Sequence, residues 1–95
     1  MNIILVVDDE PDILELLELT LARMGMEVAS SSCIGEAKAQ LQSRQFQLCL
    51  TEMQLPDGKG LSLVKYILSH YADLPVAIIT AYGTAENAVA ALKAG

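Results

Sequence analysis

The stretch Ile3-Ile4-Leu5-Val6-Val7-Asp8-Asp9-Glu10-Pro11 decides the fold. A strand with one wet face alternates apolar and polar residues, whereas a strand covered on both faces is apolar throughout. Residues 3–7 are apolar without a break and mostly β-branched, so they read as an inner strand of a parallel sheet. The strand stops abruptly at three consecutive acids. A strand of this kind needs helices above and below it, and the next segment supplies one. Ile13, Leu16, Leu17, Leu21 and Met24 recur at helical spacing, while Asp12, Glu15 and Glu18 fall on the other side. Pro11 stands where a helix tolerates a residue without an N–H, and Gly25 marks the end.

Working outward, the rhythm repeats. The pattern predicts a strand near 27–30, a helix over about 34–44, a strand over 47–51 and the turn Pro56-Asp57-Gly58. A helix over about 61–71, a strand over 76–80 and an Ala-rich helix over about 85–93 follow, the last capped by Thr84. Strands alternating with helices through short connections predict right-handed βαβ units on one parallel sheet, an α/β doubly wound fold.

The length of 95 residues, with 53% hydrophobic content, sets the expectation of one domain spanning 1–95. Twelve acidic residues against six basic ones give a formal net charge of -6, with no Lys/Arg cluster, which argues against direct nucleic-acid contact. The apolar run at the start is too short for a membrane span and lacks the basic flank of a signal peptide. The chain therefore reads as cytoplasmic. Cys33 and Cys49 lack metal-ligand spacing and read as small, semi-apolar residues in a reducing compartment.

Ligands of open parallel sheets sit outside the carboxyl ends of the strands. That rule gathers Asp8, Asp9 and Glu10 after the first strand, Glu52 after the third, and Thr80 and Ala81 after the fourth. Carboxylates brought together raise one another's pKa or demand a cation. Mg²⁺ suits oxygen donors, accepts one or two carboxylates and also takes phosphate oxygens. A metal-assisted phosphoryl site is the natural expectation, with the Thr80 hydroxyl and the N–H groups around Met53 and Ala81 as donors to phosphoryl oxygen. Each element also has a plainer explanation. An acidic pair ahead of a helix favours the helix dipole, Pro56-Asp57-Gly58 reads as turn chemistry, and His70 as a partly exposed structural residue.

Taken in order, VVDDEPD (6–12), LTEMQLPDGKG (50–60) and ITAYGTAENAVAALKAG (79–95) resemble the receiver domain of bacterial two-component response regulators, closest in wording to receivers of sigma-54-dependent activators of the pilus-gene type. The resemblance implies a flavodoxin-like sheet in the order 2-1-3-4-5 and a module that takes a phosphoryl group from a sensor histidine kinase and signals to an output domain. It implies Mg²⁺ held directly by Asp9, through water by Asp8, and by the Gln54 carbonyl. It makes Thr80 the switch hydroxyl, with Met53 and Ala81 offering phosphate-facing N–H groups. No catalytic turnover is implied.

Two departures stand out. The phosphoacceptor position, Asp in the family, is Glu52, itself a candidate metal ligand, and the sequence stops at Gly95, ahead of the family's fifth strand. One extra methylene moves the carboxylate roughly 1.5 Å outward, and an ångström of misplacement can cost about a hundredfold in rate. Glu52 is therefore expected to accept phosphoryl poorly and to mimic phosphoaspartate in part. The bare fourth strand at the sheet edge predicts self-association into a homo-oligomer. Two alternatives compete: a metal-dependent phosphatase of the haloacid-dehalogenase type, which wants Asp-x-Asp where this chain has Asp8-Asp9-Glu10, and a protein-interaction module that works without phosphorylation.

Overall fold

Why the opening strand is apolar on both sides is visible in the computed structural model, which describes residues 3–79. Strand β1 (Ile3–Val7) lies inside a four-stranded parallel sheet, flanked by β2 (Glu27–Ser31) and β3 (Leu48–Glu52), with β6 (Val76–Ile79) beyond β3. The order β2-β1-β3-β6 is the expected doubly wound arrangement. Leu5 and Val7 point into one apolar cluster and Ile4 and Val6 into another, so successive residues serve opposite faces of the sheet.

On one face, α2 (Ile34–Ser43) and α3 (Gly60–His70) bring Ile34, Ala37, Leu41, Leu63, Val64 and Ile67 onto Leu5, Val7 and Cys49. On the other, α1 (Pro11–Arg23) lays Leu14, Leu17 and Leu21 over Ile4 and Val6. The stripe expected for α1 is corrected here, since Leu16 is 63% and Met24 62% exposed. At about 100° per residue, Leu14, Leu17 and Leu21 share the sheet-facing side and Leu16 is turned away. Gly25 ends the helix as expected, with a positive φ of 81° and its N–H bonded to Ala22 O.

Boundaries moved by a residue or so. The third strand runs one residue later than expected, making Glu52 its last member, paired in register with Ile79. Between β3 and α3 lies a feature the sequence reading treated as a plain turn. Gln54–Leu55 (β4) and Gly58–Lys59 (β5) form a two-residue antiparallel ribbon. The expected strand residue Thr80, the helix over 85–93 and its cap Thr84 lie outside the described residues.

Candidate functional site

The acids converge because the two central strands end side by side. Val7 is the register partner of Thr51, and the next residue on each strand is Asp8 and Glu52. The Asp8 N–H continues the ladder to Ser31 O at 3.0 Å, fixing its backbone. Its side chain is 1% exposed. Oδ1 accepts the Glu10 N–H at 2.9 Å, while Oδ2 is buried with no hydrogen-bond partner among the described residues. Burial pushes the Asp8 carboxyl above its ordinary value. The Glu10 N–H pulls the other way, and the charges of Glu52, Asp9 and Glu10 add to the rise.

Glu52 is half-buried, and its Oε1 accepts the N–H of Met53 at 2.8 Å. The side chain thus folds back over the residue that follows it. Asp9 and Glu10 are exposed. Gln54 opens the ribbon opposite Lys59, and the base of that ribbon is closed by the Gly60 N–H on Met53 O at 2.8 Å. Only glycine fits at position 60, where a Cβ would stand 1.9 Å from Glu52 O. Thr80 and Ala81 lie outside the described residues.

A buried carboxylate oxygen without a donor among the described residues, repelled by three neighbouring acids, is a group that a cation would satisfy. Among the described residues, no three His, Cys, Asp or Glu side chains are grouped closely enough to hold a metal ion by themselves. The expected convergence of three or four carboxylates is looser than a cage. Mg²⁺ needs no such cage, because it keeps most of its waters and takes one or two carboxylates. An open groove of about 580 Å³ lies elsewhere, lined by Arg44, Phe46, His70 and Tyr71 among others, and includes none of these acids.

Sequence reasoning missed the part played by Asp57. Its carboxylate accepts the N–H groups of Ile34 at 2.8 Å and Gly35 at 3.0 Å, at the start of α2. A signal was present: α2 has Cys33 at its N-cap, a poor acceptor that makes no side-chain bond to the helix. The two thiols are free, and burial pushes Cys49 up to about 12. His70 is exposed, stacks on Tyr66 and shares a hydrogen bond with Tyr66 O, which fits a structural part.

A parallel sheet in this order, with acids at the carboxyl ends of its central strands, defines a doubly wound α/β module with an acidic strand-end rim. The chain belongs to the response regulator receiver domain family, which it matches over residues 4–95. It is 55% identical over 91 residues to the response regulator protein PilR of Pseudomonas aeruginosa, covering 96% of this chain and 20% of that protein. To the DNA-binding transcriptional regulator NtrC of Proteus hauseri it is 37% identical over 90 residues, covering 95% and 19%. Receivers of sigma-54-dependent activators are thus among its relatives. The chain spans about a fifth of the length of both.

Among solved structures, the beryllofluoride-activated NtrC4 receiver dimer superposes with a TM-score of 0.88 at 30% identity, covering 100% of this chain and 78% of that one. The response regulator TrrA of Thermotoga maritima in complex with Mg²⁺ and beryllofluoride gives 0.83 at 34% identity, covering 87% and 72%. TrrA bound to the histidine kinase ThkA also gives 0.83, at 33% identity, covering 90% and 73%. The haloacid-dehalogenase alternative finds no support in a family match of this extent. Among the described residues no helix is long and apolar enough to cross a membrane.

Proposed function

We propose that this receiver serves a transcription-controlling response regulator and that Glu52, at its phosphoacceptor position, holds the site part-way toward the phosphorylated state. The observation that carries this reading is the bond from the Met53 N–H to Glu52 Oε1. In the family resemblance that N–H faces phosphoryl oxygen, and the extra methylene lets a carboxylate reach it. A carboxylate brings one negative charge where a phosphoryl group brings about 1.5 to 2. The mimicry is therefore partial, and the module acts as a switch with no turnover of its own.

Asp9, Glu52 and the Gln54 carbonyl are the groups that would hold Mg²⁺ directly, with Asp8 acting through a bound water. When bound, the ion neutralises the rim and supplies a Lewis-acid contact for phosphoryl oxygen. Thr80 is assigned the switch hydroxyl and Ala81 a second phosphate-facing N–H. A sensor histidine kinase is the upstream partner, a reading supported by the ThkA–TrrA pair. An output domain, supported by the greater length of PilR and NtrC, makes the nucleic-acid contacts that this acidic chain does not. Self-association is supported by the NtrC4 receiver dimer, and a cytoplasmic setting by the short apolar run at residues 3–7, which has no basic flank.

Acetyl phosphate with Mg²⁺ tests the reading in the full-length protein. Mass spectrometry is expected to find no stable acyl phosphate with Glu52 in place and to find one in Glu52→Asp. Equal phosphorylation of the two proteins would refute the assigned role of Glu52.

A further inference from the structure

Helix α2 begins without a cap of its own. Cys33 makes no side-chain bond to it, so the N–H groups of the first turn need an acceptor from elsewhere. Asp57 supplies it from more than twenty residues downstream, one carboxylate oxygen to Ile34 and the other to Gly35. An anion at a helix N-terminus is favoured by the unpaired donors and by the dipole together. The two N–H groups hold the Asp57 carboxyl below its ordinary range. Packing agrees with the charge: Gly58, at φ +152°, lies so close to α2 that a Cβ there would stand 2.9 Å from Ile34 Cδ1.

This clasp closes a ring around the acids. From Asp8, the ladder bond leads to Ser31 at the end of β2, and Ser32 and Cys33 lead into α2. The first turn of α2 is bonded to Asp57, which sits between the ribbon partners Leu55 and Gly58. The Gly60–Met53 bond returns the chain to the residue beside Glu52. Segment 53–59 is fixed at its base by that bond and within the core by Leu55. At its tip, Asp57 ties it to α2. The same segment carries the Met53 N–H and the Gln54 carbonyl.

We infer that Asp57 is a positioning residue for the strand-end site: by clasping the N-terminus of α2 it fixes the backbone of residues 53–55 relative to Asp8, and so sets the affinity of the rim for a divalent cation. The inference rests on the reading of the rim as a Mg²⁺ site. Groups that orient metal ligands without touching the metal change affinity by about 10–100-fold when removed. Asp57 acts through backbone, which puts the effect at the low end of that range.

The test titrates Mn²⁺ by calorimetry and, without metal, follows amide hydrogen exchange at Gly60. Asp57→Ala is expected to weaken Mn²⁺ binding about tenfold and to speed exchange at Gly60. Asp57→Asn keeps one acceptor oxygen and is expected to fall between. Ala39→Gly, on the exposed side of α2, weakens the helix without touching the clasp and is expected to leave both readouts near wild type. No change in Asp57→Ala, or equal changes in Ala39→Gly, would overturn the proposal as no more than helix stability. A wild-type protein that binds no Mn²⁺, with Gly60 still loosened in Asp57→Ala, would overturn the cation reading and support the clasp as the device that holds the backbone.

Discussion

At Glu52 and Asp8 single atoms decide what the rim can do. Asp8 places one oxygen on the Glu10 N–H and leaves the other buried and, among the described residues, unpartnered. Its pKa is raised, chiefly by burial, above an ordinary value of 3.8. The folded protein therefore keeps the Asp8 proton to higher pH than the unfolded chain does. The stability that this proton provides is fully present below the ordinary value and is lost as pH rises through the raised one. At neutral pH without a cation, Asp8 works against folding. Asp8→Asn, which keeps the Oδ1 acceptor, is expected to raise the melting temperature in chelator by a few degrees, a modest gain because the rim is partly screened by solvent. The advantage shrinks toward acid, where wild-type Asp8 is already protonated, and it reverses in excess Mg²⁺. Melting curves in EDTA and in Mg²⁺ at two pH values check this; a variant less stable than wild type in EDTA at pH 7 would contradict it.

Elements were legible in the sequence wherever the apolar period was strong. The unbroken run Ile3–Val7 announced its strand to the residue, and Gly25 announced a helix end. Strand-end acids were legible because topology, once read, puts Asp8 and Glu52 on neighbouring strands. The face of α1 was misread because Leu14, Leu16, Leu17, Leu19 and Leu21 surround much of the helix, so hydrophobicity alone does not choose a side. The β4–β5 ribbon was missed because two-residue strands carry no period, and the Asp57 clasp because its partners are distant in sequence. At this scale Gly60 is the position to test. A Cβ would meet Glu52 O at 1.9 Å, and backbone has no rotamer by which to yield. Gly60→Ala is expected to cost at least about 2 kcal/mol, within the range for overpacking. A urea midpoint lowered by about 1 M would report it, and an unchanged midpoint would mean that α3 slides away from β3 without penalty.

Across the whole molecule, the charge and the fold pull against each other at one place. The formal net charge is -6, and topology delivers acids to the carboxyl ends of both central strands, where a buried oxygen of Asp8 has no donor among the described residues. Strand-end repulsion is built in by the same register that makes the core, because Val7 and Thr51 must pair for Leu5, Val7 and Cys49 to meet α3. A ligand that binds only the folded state stabilises by mass action, about 2.7 kcal/mol at a hundred times its dissociation constant. For a domain of this size, about 1 kcal/mol moves the midpoint by roughly 4–8 °C. Saturating Mg²⁺ at constant ionic strength is therefore expected to raise the melting temperature by roughly ten degrees or more. Na⁺ at equal ionic strength only screens the charges and is expected to give far less. Asp9→Ala tests whether the gain belongs to the rim, since Asp9 is exposed and its removal leaves the core intact. Loss of most of the Mg²⁺ effect in that variant, with its melting temperature in chelator near wild type, is the expected pattern. A Mg²⁺ shift undiminished in Asp9→Ala would mean that the cation acts on the acidic surface at large.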